Sequence, residues 1–582
     1  MKYQLKTKNY NTENTELALQ ELLKDRGIKE PYKWLNPNYS YENSPELFKE
    51  MRKAIGLLRD TMKNRESNIL VVVDSDLDGY TSGSIILTLL KMIQCGQDVN
   101  FVLHPNKEHG IVLDDIGEDV NLIIVPDAGS SQKEEHLKLL KSNTKIIILD
   151  HHEMDNDINY GEYQNDIAIV NSQEEDYPNH FLSGAGVALK FVQEYCSVYG
   201  IPFPNKLYAL AACGIVADVM DLSELENKQI VVNGIKYIKE HEFLYQLIKD
   251  AHYNLENPQP SIKDIGWVIG PNINAIIRLG TQEQKDIIFK SLVSPLMMVN
   301  STKKGDEDIE VPIYEEAVRY CKNAKKRQTT AVDKSIKIIN SEMTVDDADK
   351  AIIYIDDDKD LTFELSGLIA NKLLSQYNLP IILLRPYSDG KINEYRGSVR
   401  GKPVEGLINL KDTINGLTGV EKAEGHAFAF GLGINKDMVT EFKAHLYSVL
   451  SNVDFNTNLY LVDMISKYKD INIDIATIMA REDIWCHGVD KPLAAITDIC
   501  TDNYEIMGDN QQHLKINCGK YDIILFNVED LTSKLLNNEK FDLDVIGEFS
   551  IDQSYNIGRL QLVSKDYEIK PYTKKTAWDL VF

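Results

Sequence analysis

The sequence predicts a multidomain α/β protein: a parallel-sheet domain and a smaller α/β domain joined by a long helix, then a C-terminal β-barrel domain. Three observations carry this. Short apolar runs (NILVVVD, NLIIVPD, KIIILDHH, IAIVNS) alternate with helical stretches such as SGSIILTLLKMI. Continuous Ile/Val strands of this kind belong to parallel sheets covered on both faces. IYEEAVRYCKNAKKRQTTAVDKSIKII, from about 313 to 339, contains neither Pro nor Gly and reads as one connecting helix. After about 455 the pattern turns to alternation, as in HLKINCGKYDIILFN and RLQLVSKDYEI, which suits a small barrel of five or six strands.

In chain order, residues 1–66 read as polar helices, with Ser44 an N-cap before PELFKEMRKAIGLLRDTM. Residues 67–305 form the parallel-sheet domain. Its strands end at Asp74, at Asp127 and at Asp150-His151-His152, and active sites in such sheets lie at the carboxyl ends of strands. ALAACGIVADVMDL (209–222) is an apolar helix-like run with Asp218 and Asp221 near its end. Residues 306–345 hold the connector. The second α/β domain covers 346–450, with AIIYIDDD, SGLIANKLLSQY, LPIILLRP and a glycine-rich region ending in EGHAFAFGLGI. The barrel takes 451–582.

The 582 residues exceed one core, and domains usually run to roughly 100–200 residues. No stretch approaches the roughly 18 apolar residues of a membrane span, and the start lacks an apolar signal core. A cytoplasmic, non-membrane protein is expected. Seven scattered cysteines (Cys95, Cys196, Cys213, Cys321, Cys486, Cys500, Cys518) form no C-x-x-C pair and read as reduced thiols with no zinc site. Net charge is −26. Any nucleic-acid contact must therefore lie in a local basic channel.

Asp74-Ser75-Asp76-Leu77-Asp78-Gly79 has two readings. An EF-hand loop needs a bidentate Glu at position twelve and flanking helices. Position twelve is Ile85, and the preceding ILVVV is a strand. Three solvated loop acids are the other bland reading. Three like charges at one strand end repel unless a cation neutralises them, and Asp127, Asp150, His151 and His152 arrive at the same edge. Hard oxygen donors with one or two imidazoles suit Mn2+ or Mg2+ better than zinc. The donors suffice for two ions about 3.5–4 Å apart, the spacing used in phosphodiester hydrolysis.

This set resembles the DHH phosphoesterase superfamily. D-x-D-x-D-G is similar to its first motif, the Asp127 strand to its second, Asp150-His151-His152 to its third and GIVADVMDL to its fourth. RecJ-type single-strand exonucleases resemble the chain most. PNK (105–107) is similar to their Pro-Asn-Arg, and LSGAGVALKF (182–191) to their Gly-Val-Gly helix region. IGPNINAIIRLG (269–280) resembles their Pro-Arg-Leu-Asn-Ala-Ala-Gly-Arg segment. EGHAFAFG (424–431) resembles the Gly-Gly-His-x-x-Ala-x-Gly of the DHHA1 domain, and the tail is similar to the RecJ OB domain. The resemblance covers nearly the whole chain.

The resemblance implies roles. Asp76 and Asp127 hold one ion, with Asp74 close to it. Asp78, Asp127, His151 and Asp218 hold the other, so Asp127 bridges. His152 contacts the phosphate or assists proton transfer, and Asp150 orients a ligand histidine, as carboxylates commonly do in metal sites. Asp221 reads as an ordinary capping or surface acid. Lys107, Arg278, Ser398, Arg400 and His426 are expected on substrate phosphate. Lys107 and Asn272 replace family arginines, Ile276-Ile277 replace Ala-Gly, and Glu424 replaces the first Gly. These departures fall in substrate loops and leave the ligand positions filled.

The connector carries Arg319, Lys322, Lys325, Lys326, Arg327, Lys334 and Lys337 against Asp333 between 319 and 337. Lys322 and Lys326 share a face. Arg319, Lys322 and Lys326 are candidates for a DNA channel; the bland reading is a solvated face. Tyr504, Tyr521, Phe526 and Tyr555 could stack bases in the barrel domain. The expected function is a metal-dependent exonuclease on single-stranded DNA, 5′ to 3′ by resemblance alone, releasing mononucleotides in repair, recombination or replication. Two divalent ions serve it. Expected partners are a single-stranded-DNA-binding protein or a helicase, and the chain is expected to be a monomer. The composition suits a low-GC bacterium or its phage. The alternative is a DHH phosphodiesterase for short oligonucleotides or cyclic dinucleotides, which needs neither barrel nor connector. A non-catalytic DHH scaffold would have lost ligands, and none is missing here.

Overall fold

The protein is described from a computed structural model. It describes residues 1–582 except 13, 94–97, 106–107, 118, 155–158, 175, 307–308, 344, 347–348, 359, 388–392, 405, 456–458, 553–557 and 573–582. The chain divides into two compact units. One comprises Met1–Pro271, Asp286–Val318 and Leu459–Phe582; the other comprises Asn272–Lys285 and Arg319–Asn458.

The first unit opens with a strand, β1 (Lys2–Leu5), where the sequence suggests only helices. Four alternating residues are too short to show a period; β1 forms by pairing in parallel with β14 (Leu459–Val462). Ser44 does cap a turn, but a 3-10 turn, Pro45–Leu47; the α-helix begins at Met51.

Next comes an all-parallel sheet of β2 (Asn68–Val73), β3 (Asp98–Leu103), β4 (Leu122–Pro126), β5 (Lys145–Asp150) and β6 (Ile167–Asn171), in the order β3-β2-β4-β5-β6. All of β4 and nearly all of β2 and β5 are buried, which explains their unbroken apolar sequence. From β2 the chain crosses to β3 on one side and then to β4 on the other. The crevice between the C-terminal ends of β2 and β4 is thus a topological switch point, the usual ligand site of open α/β sheets. Helices Leu77–Met92, Gly184–Tyr199 and Leu207–Ala217 pack on one another against this edge. A short hairpin, β7 (Met298–Asn300) with β8 (Glu310–Pro312), follows.

Helix Ile313–Glu342 is the expected connector. The second unit holds a mixed sheet of β9 (Ile352–Ile355), β10 (Ile381–Tyr387), β11 (Glu394–Arg400), β12 (Val420–His426) and β13 (Ala429–Asn435), in the order β12-β13-β11-β10-β9. Its core includes Ile382, Val399, Phe430 and Phe442.

Back in the first unit, the C-terminal β region is larger than five or six strands. Seven strands run in the order β15 (Met464–Lys467), β16 (Leu493–Cys500), β20 (Phe541–Asp552), β21 (Arg559–Pro571), β19 (Asp522–Leu525), β18 (His513–Asn517) and β17 (Tyr504–Met507). Its core takes in Tyr10, Leu22 and Trp34 from the N-terminal segment, and the buried Arg26–Asp463 pair (3.0 Å) joins the same two stretches. Tyr521 is core, while Tyr504 and Phe526 are exposed; Tyr555 lies outside the described residues. Among the described residues no helix is long and apolar enough to cross a membrane. Cys196, Cys213, Cys321, Cys486, Cys500 and Cys518 are free thiols, and Cys95 lies outside the described residues.

Candidate metal centre

The three alternating aspartates occupy three structural positions. Asp74 follows β2. Asp76 is the N-cap of helix Leu77–Met92 and accepts from the Gly79 N–H at 3.0 Å. Asp78 lies in the first turn. A side chain at Gly79 would strike Asp74, since a Cβ there would stand 2.6 Å from the Asp74 Cβ.

Asp78 reaches the start of helix Gly184–Tyr199. Its carboxylate accepts from Gly184 N (2.8 Å), Ala185 N (3.0 Å) and Ser183 Oγ (3.0 Å), the donors a helix N-terminus offers an anion. Gly214, in helix Leu207–Ala217, makes room for it: a Cβ there would lie 2.0 Å from Asp78 Oδ1. Asp218 caps the C-terminus of that same helix.

Asp127 follows β4 with a left-handed backbone (φ 69°), and its N–H donates to Leu149 O at 2.8 Å. Its Oδ1 is buried and receives no hydrogen bond, although His151 Nε2 stands 3.2 Å away. The same Nε2 is 3.6 Å from Asp218 Oδ2 and 3.9 Å from Asp78 Oδ2. Donor atoms of Asp74, Asp76 and Asp127 lie within 4.8 Å of one another. Those of Asp78, His151 and Asp218 do too, as do those of Asp127, His151 and His152. Asp127 thus belongs to groups on both sides of the crevice.

Burial and mutual repulsion act on these acids. Burial, then the charges of Asp74 and Asp78, pushes Asp76 up to about 6. Burial, then Asp78 and Asp76, pushes Asp218 up to about 8. Asp127 is raised well above the carboxylate range by the same causes. Hard oxygens that cannot all ionise together, one of them buried without a donor, are the donor set a Mn2+ or Mg2+ pair neutralises. The residues fit such ions.

Asp150 holds the His152 ring: its Oδ1 accepts from His152 Nδ1 at 2.8 Å and from His151 N at 2.7 Å, and its Oδ2 accepts from Ser130 N at 3.0 Å. Burial alone would depress His152; the hydrogen bond to Asp150 and its charge outweigh it and push the ring up to about 9. Burial dominates at His151 and pushes it down. Asp221 accepts from Ser223 N at 2.8 Å, within the turn before helix Leu225–Ile238, whose N-cap is Glu224.

His109 also reaches this centre. Its Nδ1 lies 2.8 Å from Asp74 Oδ2, and Gly110 N donates to Asp74 Oδ1 at 3.1 Å. His104 Nε2 in turn lies 2.9 Å from Gly110 O. A histidine 35 residues from its partner, in a loop without periodicity, gives no sequence signal beyond its place after Pro-Asn-Lys.

A protein of Bacillus subtilis strain 168 called "Putative SPbeta prophage-derived single-strand DNA-specific exonuclease YorK" is 31% identical over 542 residues, covering 91% of this chain and 92% of that protein. A family model described as "DHH family, N-terminal domain" matches residues 68–215, and one described as "RecJ OB domain" matches 462–566. The chain belongs to the RecJ-type DHH family. The RecJ exonuclease of B. subtilis is 23% identical over 91% of this chain and 64% of its own length. The crystal structure of Thermus thermophilus RecJ with Mn2+ shares the fold, with a TM-score of 0.70 at 20% identity over 96% of this chain and 76% of that one. The Mg2+ form gives 0.61 at 18% identity, over 95% and 76%.

Four of the five phosphate-contact candidates of this RecJ-type chain, Arg278, Ser398, Arg400 and His426, lie in the second unit. Ala429 pairs with Arg400 on one side and His426 on the other, and Gly431 pairs with Ser398. Directly opposed residues share a face, so Ser398, Arg400 and His426 lie on one side of the sheet. Ser398 Oγ is 2.9 Å from Ser366 Oγ. Burial, then the Arg278 guanidinium, lowers Arg400. Lys322 and Lys326 are exposed on the connector; Arg319 is half-buried, its guanidinium 4.7 Å from the Tyr320 ring centre. Lys107 lies outside the described residues.

Proposed function

We propose that this RecJ-type chain is a divalent-metal-dependent exonuclease that hydrolyses single-stranded DNA from an end, 5′ to 3′, releasing mononucleotides. The observation that carries this reading is the convergence of Asp74, Asp76, Asp78, Asp127, His151 and Asp218 on the switch-point crevice of the parallel sheet. The names and shared fold of its relatives support the substrate class.

Asp76 and Asp127, with Asp74 beside them, would hold one ion; Asp78, Asp127, His151 and Asp218 would hold the other. A bound Mn2+ or Mg2+ pair supplies a nucleophile at neutral pH and stabilises the charge of the attacking and leaving oxygens. The chain's own residues do the rest. Amides of Gly184 and Ala185 fix Asp78. Asp150 fixes the His152 ring by its Nδ1–H, leaving a protonated Nε2 to meet the phosphate and give a proton to the leaving oxygen. Arg278, Ser398, Arg400 and His426 hold substrate phosphate, where guanidinium forks match its oxygens. Lys107, Arg319, Lys322 and Lys326 are assigned to the strand. The enzyme acts as a monomer in the cytoplasm of a bacterium or a phage-infected bacterium, in DNA repair, recombination or replication. Its partners are a single-stranded-DNA-binding protein or a helicase.

The test is digestion of end-labelled single strands, with 5′ or 3′ ends blocked in turn, in Mn2+ and in Mg2+. Blocking the 5′ end should stop mononucleotide release. Cleavage of dinucleotides with long strands untouched would overturn the reading.

A further inference from the structure

We infer that Val219 and Trp267 form an apolar ledge on which a nucleobase of the bound strand stacks beside the metal centre. The inference rests on the single-strand reading above and adds a substrate contact to it.

Two local anomalies meet at one helix end. Helix Leu207–Ala217 closes at Asp218 with Val219 in the left-handed region (φ 59°). Val219 N donates to Val216 O at 3.3 Å and Met220 N to Ile215 O at 3.0 Å. Glycine is the usual residue at such a position, and a β-branched side chain is a marked outlier there. The side chain is therefore not what the turn needs, and it stands 52% exposed directly after Asp218.

The second anomaly lies against the same end. Ile265–Ile269 forms a π-helical turn, a feature frequent at functional sites. A Cβ on Gly266 would stand 3.7 Å from Val216. One on Gly270 would stand 3.9 Å from Ala217 and from Leu77, the residue between Asp76 and Asp78. Trp267, within this turn, is 76% exposed. The turn is anchored: Ser261 and Asp264 form a capping box, His252 Nε2 lies 2.6 Å from Asp264, and Lys263 pairs with Glu482 at 2.9 Å. A large aromatic is thus held out in water by fixed backbone, one turn from Gly270, where an added methyl would come within 3.9 Å of Leu77 in the helix that carries Asp78.

A flat, uncharged face with a polar tip suits a base and not a phosphate, and base–aromatic stacking tolerates any sequence, as an exonuclease that walks along a strand requires. Phosphate is bound by charge, which this ledge lacks.

The test compares full-length wild type, Trp267→Ala, Trp267→Phe and Val219→Gly by kcat and KM in Mn2+, on an ordinary single strand and on one with abasic nucleotides at the digested end. Trp267→Ala should raise KM about tenfold with kcat within about twofold, and Trp267→Phe should recover most of the loss. Removing the bases should penalise wild type by a similar factor and Trp267→Ala hardly at all. Val219→Gly should raise KM by a smaller factor without lowering Tm. Equal losses for wild type and Trp267→Ala on abasic strands would overturn the ledge alone, and would point to a contact with a protein partner. No metal-dependent cleavage of any single strand by wild type would overturn the exonuclease reading, and the ledge with it.

Discussion

His109 Nδ1 lies 2.8 Å from Asp74 Oδ2, while the Gly110 amide meets the other oxygen of that carboxylate at 3.1 Å. Asp74 is thereby oriented from a loop, with its carboxylate fixed on both oxygens. Groups that orient ligands typically change metal affinity or activity by about 10–100-fold when removed. His109→Ala should weaken Mn2+ activation by that order, read as the Mn2+ concentration giving half-maximal cleavage. An unchanged Mn2+ titration would show that Asp74 needs no such support.

Gly184 leaves space that Asp127 fills. A Cβ at residue 184 would stand 2.3 Å from Asp127 Oδ1 and 2.5 Å from its Cβ. Gly184→Ala should cut kcat by about 100-fold or more, the scale reached when reacting groups are displaced by about 1 Å. Gly200→Ala, at the far end of the same helix with nothing within 4 Å but a left-handed φ of 63°, should lower Tm and spare kcat. That contrast separates loss of the centre from loss of the fold.

Asp127→Ala removes the acid whose donor atoms lie near those of Asp74 and Asp76 and near those of His151 and His152. Cleavage should fall by more than about 1000-fold, since interactions made at the reacting centre are worth several kcal/mol. The metal-free protein should be no less stable, because a buried carboxylate repelled by its neighbours is lost. The Mn2+-induced rise in Tm should shrink. Full nuclease activity in Mn2+ would refute the bridging position.

Raised carboxyl groups make metal-free stability fall as pH rises. Asp76 and Asp218 keep their protons in the folded state up to about 6 and about 8, against 3.8 for the free group. The folded state binds more protons than the unfolded one between these limits, so stability is present below about 4 and drains away up to about pH 8. Thermal unfolding in EDTA should give a lower Tm at pH 8 than at pH 5.5. Mn2+ should raise Tm more at pH 8, where protons no longer compete for the ligands.

Arg400 shares its sheet face with Ser398 and His426 and is depressed by burial, then by Arg278. Arg400→Ala should raise KM and reduce the slope of log affinity against log salt by about one, as expected for one phosphate contact. An unchanged slope would remove Arg400 from the strand.

Much of the fold was legible because its signals are local. NILVVV, LIIVP and KIIILD announce a buried parallel sheet, and a Pro- and Gly-free stretch announces the connector. The acids at the strand ends were legible for the same reason: strands end where apolar runs end, and switch-point chemistry sits there. β1 was not legible, since four residues carry no period and its partner lies more than 450 residues away.

The sequence by itself determined the donor set, hard carboxylates with histidine, and hence the class of metal. It could not decide which acid faces which. Asp78 is held by the Gly184 and Ala185 amides, and His109 joins Asp74, because each of these pairs is made by packing between elements far apart in the chain. The same holds for Gly184 and Gly214. In sequence they are small helix residues; only tertiary packing shows that a methyl group at either would occupy the space of a carboxylate.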